Sequence, residues 1–100
     1  MLYCSDRGTS SVTSYAVRPQ DGRLTLLAHT PTGANPRHFK IDPSGSWMIV
    51  GALSEDRVDV FELDARGVPR DPASSELLAK NPAHFLWLPE HAESAGAGKL

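Results

Sequence analysis

Cysteine is nearly absent: Cys4 is the only one in 100 residues. No internal disulfide can form, and a single sulfur cannot build a thiolate metal centre. Such sparing use fits a cytoplasmic setting. Basic clusters are missing too, because ten Lys and Arg are scattered among twelve acidic residues for a net charge of −2. With no basic stripe to neutralise phosphates, nucleic acid is not expected as a partner. No apolar run approaches the roughly 18 residues of a membrane span, and the N-terminus lacks the layout of a signal peptide. No membrane partner is therefore expected. His38 and His84 lack a third ligand at metal-binding spacing, so neither metal nor cofactor is expected.

What the chain does contain is a repeat. Val12, Tyr15, Pro36 and Phe39 have counterparts 46 residues later at Val58, Phe61, Pro82 and Phe85, and Gly22 has one 45 residues later at Gly67. A period in this range marks a stacked β unit such as one blade of a propeller. A hydrophobic share of 40% and a charged share of 22% match an ordered globular chain.

Alternation and turn chemistry divide the sequence into short strands. Leu2 to Ser5, Val12 to Val17 and Leu24 to His29 form one set, with Gln20-Asp21-Gly22-Arg23 as a hairpin turn. The loop Pro31 to Pro36 follows. The second set is His38 to Ile41, the apolar runs Trp47 to Leu53 and Val58 to Leu63, and an outer strand Leu77 to Ala79. Asp42-Pro43-Ser44-Gly45 has type I turn composition. Asp71 to Lys80 carries an N-cap and a proline suited to the start of a helix, but its counterpart Leu24 to Ala28 alternates as a strand, so a strand is expected here. His84 to Leu88 reads as the first strand of a third copy. Residues 1–89 are expected to form a two-blade propeller unit, and residues 90–100, including His91, a frayed tail.

The fold expected is all-β, a partial β-propeller of about two four-stranded antiparallel blades. Labelled A to D from the axis outward, the strands run B-C-D, A-B-C-D, A. Consecutive antiparallel strands reverse direction, so the B–C and D–A loops share one face. That face gathers Asp6, Arg7, Asn35, Pro36, Arg37, Ser54, Glu55, Asp56, Asn81 and Pro82. The turns at 20–23 and 42–45 fall on the opposite face.

The residues also resemble a family. Leu2-Tyr3-Cys4-Ser5-Asp6-Arg7-Gly8 with Ser11-Val12-Thr13-Ser14-Tyr15 is similar to the YVSNRG…SIAVF stretch of the lactonase family typified by the cycloisomerase-type 6-phosphogluconolactonases. Thr32-Gly33 through Pro36-Arg37-His38-Phe39 and Ile41-Asp42-Pro43-Ser44-Gly45 is similar to its PTGG..PRHFxIDPSG stretch, and Val58-Asp59-Val60-Phe61 to its VxVF. The resemblance runs from Leu2 to about Pro89 and implies a seven-bladed propeller, of which this chain resembles the C-terminal portion. It further implies hydrolysis of 6-phosphogluconolactone or a related sugar lactone in carbohydrate catabolism, through the pentose phosphate pathway. Two departures stand out: Asp6 replaces the family's common Asn, and Gly51-Ala52-Leu53 replaces a polar ANQ segment.

A lactone hydrolase must hold a fixed anion and stabilise the oxyanion formed when water attacks the ring carbonyl. Guanidinium groups suit both tasks. Arg7 and Arg37 are accordingly the catalytic candidates, and Arg7, Arg37 and His38 the substrate-binding ones. The competing reading makes Arg37 a structural lock on blade carbonyls or a neighbouring Asp, and gives His38 and His84 a shared structural slot beside Phe39 and Phe85. Glu55 and Asp56 read as a solvated turn before a carboxylate pair, Trp47 and Trp87 as packing between blades, and Cys4 as a small buried residue. No Gly-x-Ser-x-Gly elbow surrounds Ser5, Ser10 or Ser11.

Two blades leave two apolar faces uncovered, so the chain is expected to need missing blades or self-association and to be inactive alone. The alternative functions are a non-catalytic propeller fragment or binding module, and a carboxymuconate-lactonising cyclase relative.

Overall fold

The computed structural model describes residues 1–88. The expected tail at 90–100, with His91, lies outside them. Seven strands fill two antiparallel sheets: β1 (Leu2–Asp6), β2 (Ser11–Val17) and β3 (Leu24–Pro31) in the first, β4 (Pro36–Ile41), β5 (Trp47–Ala52), β6 (Arg57–Glu62) and β7 (Ser75–Leu78) in the second. Both sheets keep chain order, so each is a meander.

The repeat is written in the backbone as well as in the side chains. Ser10 and Asp56 both take a left-handed conformation at φ 51°, and so do Asn35 at 59° and Asn81 at 49°. Each pair is 46 residues apart. Short polar side chains tolerate this region far better than branched ones. Gly22 and Gly67 supply the positive φ of the two hairpin turns on the opposite face, at 73° and 87°.

The turn at Asp42 forms as its composition requires. The Gly45 N–H donates to the Asp42 carbonyl, and the Asp42 carboxylate accepts from the N–H groups of Ser46 and Trp47. The segment with helical start signals instead becomes β7, beginning at Ser75 and pairing with β6 from Val60↔Ser75 to Arg57↔Leu78. Pairing with β6 outweighs local propensity there.

The core lies between the sheets. Val12 from β2 meets Met48, Val50, Phe61 and Leu63 from the second sheet, with Tyr3, Phe39, Ile41 and Ala73 packed at its margin. Tyr3 and Phe39 meet edge to face at 6.2 Å, and the Tyr3 hydroxyl donates to the Gly67 carbonyl. β5 is nearly covered on both faces, as its apolar run requires, although Trp47 at its start is exposed.

Two expectations are corrected. His84 to Leu88 is not a strand, because no described strand offers its backbone a ladder partner. Cys4 is exposed, not buried. It lies opposite Thr13 on the sheet face turned away from the core, where no second sheet covers it.

Candidate functional site

One face of the molecule collects the connections that the strand parity assigns to it. The Thr32 N–H donates to the Ser10 carbonyl, joining the β1–β2 turn to the crossover between sheets. Leu53 and Ser54, in a 3-10 turn at Leu53–Glu55, donate to the carbonyls of Asn35 and Ala34. Ala79 donates to the Asp56 carbonyl, and the Asn81 N–H to the Asp56 carboxylate at 2.9 Å. These contacts knit residues 6–11, 32–37, 53–56 and 79–82 into one rim.

Arg7 sits in the β1–β2 turn. Asp6 holds that turn by accepting the Gly8 and Thr9 N–H groups, and these bonds, Gly8's first, keep its carboxyl below the ordinary carboxylate range. Arg7 itself is exposed. Arg37 owes its position to an irregularity. Pro36 opposes Ala52 and His38 opposes Gly51, so Arg37 is the extra residue of a β-bulge. A bulge bends its strand and re-aims a side chain. Arg37 is exposed, and it makes no hydrogen bond or ion pair with the described residues. The reading of Arg37 as a lock on a nearby Asp therefore has no partner here.

The arginine that does serve as a lock is Arg57, which the residue pattern alone did not single out. Its Nε donates to Asp59 Oδ1 at 2.7 Å and its Nη1 lies 3.1 Å from Glu55. Asp59 is only 2% exposed, and its second oxygen accepts the Gly33 N–H across the sheet junction at 3.0 Å. The readable signal was opposite charges two residues apart on a strand, which share a face. Glu55 is thus engaged with Arg57, and Asp56 fixes residues 79–81. Neither is poised as half of a carboxylate pair.

His38 is half-buried on β4 and stacks on His84 with ring centroids 4.5 Å apart. Phe85 lies 5.6 Å from the same ring. Burial lowers the His38 pKa first, followed by the charge of His84 and then of Lys40. Its Nε2 has no hydrogen-bond partner among the described residues. Beneath this group, a Cβ at Gly51 would stand 2.7 Å from the Pro82 carbonyl oxygen; beside Arg57 and Glu55, one at Gly33 would stand 2.5 Å from the Ala52 Cβ. Gly51 and Ala52 are buried under these neighbours, so their lack of polar side chains has a packing cause in this chain.

Separate from these groups, Asp6, Thr9, Ser11, His29 and Pro31 line a shallow cavity on the uncovered face of the first sheet. His29 is exposed and its Nδ1 is 2.9 Å from the Thr13 hydroxyl. No cluster of three or more His, Cys, Asp or Glu suited to a metal occurs among the described residues, and no described helix is long and apolar enough to cross a membrane.

The family profile described as Lactonase, 7-bladed beta-propeller matches residues 1–87. The chain belongs to that family. A 6-phosphogluconolactonase of Sodalis glossinidius is 32% identical over 87 residues, which cover 87% of this chain and 25% of the relative. A crystal structure from Bacteroides uniformis, of a protein provisionally named 6-phosphogluconolactonase, superposes with a TM-score of 0.79 at 24% identity over 86% of this chain and 25% of that one. The periplasmic gluconolactonase of Pseudomonas aeruginosa does so with a TM-score of 0.72 at 22% identity, over 82% and 23% of the two chains. At these identities the two structures establish the fold alone. The chain spans about a quarter of the length of the relatives it matches. Its two sheets are therefore blades of this lactonase architecture, the first carrying three strands and the second four. The expected placement in the C-terminal portion of the family is not carried by these matches.

Proposed function

We propose that this chain contributes part of the substrate rim of a lactone hydrolase, with Arg7 and Arg37 as its anion-holding groups and His38 as a neighbouring substrate contact. The reaction adds water to the lactone carbonyl carbon and breaks the ring C–O bond, leaving a carboxylate and a hydroxyl. We take as its substrate 6-phosphogluconolactone, in line with the relatives' names, and as its setting carbohydrate catabolism through the pentose phosphate pathway in the cytoplasm. A guanidinium can hold the phosphate or face the oxyanion with paired donors and stays charged throughout. The observation that carries this reading is the bulge at Arg37, which leaves a cation exposed and uncommitted beside His38 on the loop-bearing face.

A second reading is a propeller module that binds without catalysis. The engagement of Asp6, Glu55 and Asp56 in structural contacts favours it, because each of these rim carboxylates already holds a turn, a guanidinium or a backbone N–H. The carboxymuconate-lactonising cyclase alternative needs the same cations and gains nothing further from this geometry.

Titration of the chain with 6-phosphogluconate, followed by NMR, tests the anion site. Arg37→Ala and Arg7→Ala are each expected to weaken binding by about tenfold or more, the worth of a charge-assisted hydrogen bond. Affinity unchanged in both variants rejects the site. Hydrolysis of the lactone above background, lost in Arg37→Ala, rejects the non-catalytic module; binding alone is what both readings expect of two blades.

A further inference from the structure

The crossover from the first sheet to the second consists of Thr32, Gly33, Ala34 and Asn35, and each of them is held. The Thr32 N–H donates to the Ser10 carbonyl, and the carbonyls of Ala34 and Asn35 accept from Ser54 and Leu53. Those three bonds join backbone groups. At Gly33 the N–H instead donates to a side chain, the Asp59 carboxylate of β6, at 3.0 Å. Asp59 is fixed in turn by Arg57, whose Nε donates to Oδ1 at 2.7 Å and whose Nη2 donates to Oδ2 at 3.3 Å. Glu55 steadies the same guanidinium from 3.1 Å. This clamp lies between the two sheets and owes nothing to the ends of the chain.

Packing makes the clamp the deciding contact at this point. Gly33 lies so close to it that an added Cβ would stand 2.8 Å from Arg57 Nη2 and 3.0 Å from Glu55 Oε2. A cavity of about 210 Å³ adjoins the clamp, lined by Thr32, Arg57, Asp59, Phe61, Asp71 and Glu76 among others. The crossover therefore borders open space, and Gly33 has no side chain of its own to anchor it. From Gly33 to Arg37 the chain has little freedom. Asn35 is left-handed at φ 59°, Pro36 is buried with its φ set by the ring, and Arg37 follows as the extra residue of the bulge. A displacement at Gly33 is passed along this path instead of being absorbed by it. Arg37 makes no bond with the described residues, so its guanidinium goes where the backbone takes it.

We infer that Asp59, held by Arg57, is a positioning residue for the anion site: it fixes Gly33 and thereby the place from which Arg37 reaches the bound anion. Resting on the reading of Arg37 as an anion-holding group, this role needs no contact between Asp59 and the substrate. Arg7 is held separately, by the turn that Asp6 closes, and lies outside the clamp.

A double-mutant cycle, read by NMR titration of the full chain with 6-phosphogluconate, provides the test. Asp59→Ala is expected to weaken binding about tenfold, as Arg37→Ala does, because both remove the same charge-assisted bond. Combining the two is expected to add less than about twofold, whereas Asp59→Ala combined with Arg7→Ala is expected to show both losses in full. Without ligand, the Arg37 amide resonance is expected to move in Asp59→Ala while that of Arg7 stays. Leu63→Ala opens the core just past the other end of β6 and is expected to bind like the native chain. Should Asp59→Ala fail to fold, Asp59→Thr takes its place: Thr13 holds the equivalent position in the first sheet, threonine suits a strand, and its hydroxyl stops one bond short of Gly33. If Arg37→Ala weakens binding and Asp59→Ala does not, or if their losses simply add, the inference fails while the anion site stands. An equal loss in Leu63→Ala, or an Arg37 resonance that stays put in Asp59→Ala, makes Asp59 a structural residue only. A native chain that does not bind, or Arg37→Ala without effect, removes the anion site and this role with it.

Discussion

Among single residues, Asp59 has the most structural consequence. It is buried, its two oxygens serve the Arg57 guanidinium, and one of them also receives the Gly33 N–H from the crossover. Removing it orphans a backbone donor and separates the crossover from β6. The charge left on Arg57 is less costly, because that side chain is 27% exposed and retains Glu55. Asp59→Ala is expected to lower stability by about 2 kcal/mol, mostly through the unsatisfied amide and the lost charge-assisted bonds. Urea unfolding midpoints check this, and a shift below a few tenths of a kcal/mol would mean that the crossover is held by other contacts. Arg57 and Asp59 show what the residues alone did not disclose: VxVF reads as apolar packing, and only the register shows that Asp59 faces Gly33 across the junction.

At the scale of elements, the contact between β4 and segment 82–88 is sensitive to protonation. His38 lies against His84 and Phe85, with Lys40 on its own strand and the uncharged Gly51 of β5 beneath the segment. Its pKa is lowered in the fold, so the unfolded chain binds the proton first. The stability it contributes is complete above the ordinary imidazole value of about 6.5 and is lost as pH falls through the window beneath it. The rim and turn carboxylates do not confuse this window. Asp6, held by the Gly8 N–H, Asp42, held by the Ser44 hydroxyl, and Asp64, held by the Val68 N–H, all titrate below the ordinary carboxylate range. Stability measured from neutrality down to about pH 5 is expected to decline in the native chain and to flatten in His38→Gln; parallel slopes would remove His38 from the account. The elements themselves were largely legible in the sequence. Strand starts, the Asp42 turn and the common face of Arg7 and Arg37 follow from alternation, turn residues and parity. The failure at His84 to Leu88 has a plain cause, since a strand is a property of a pair and its pattern cannot supply the partner. Cys4 failed for the same reason, because burial depends on a covering sheet that no residue of β1 encodes.

At the scale of the molecule, the two sheets share one small core, and that decides how the chain unfolds. Val12 is the only fully buried apolar residue that the first sheet gives to the cluster; Met48, Val50, Phe61 and Leu63 come from the second sheet and the residue just past β6. The first sheet has no independent core, and its opposite face exposes Leu2 and Leu26. A three-stranded meander without a covered face is marginal by itself. Its order therefore depends on the second sheet. Phe61→Ala, at a side chain 2% exposed, removes the largest member of that shared cluster. The loss is expected to be about 3–5 kcal/mol, a large part of the stability of a domain this size. Hydrogen exchange distinguishes cooperative from separate loss. If the sheets form one unit, the amides of β2 lose protection together with those of β5, although Phe61 lies in neither strand. If β2 keeps its protection while β5 and β6 open, each sheet is stable by itself, and the dependence of blade on blade argued from this core is wrong.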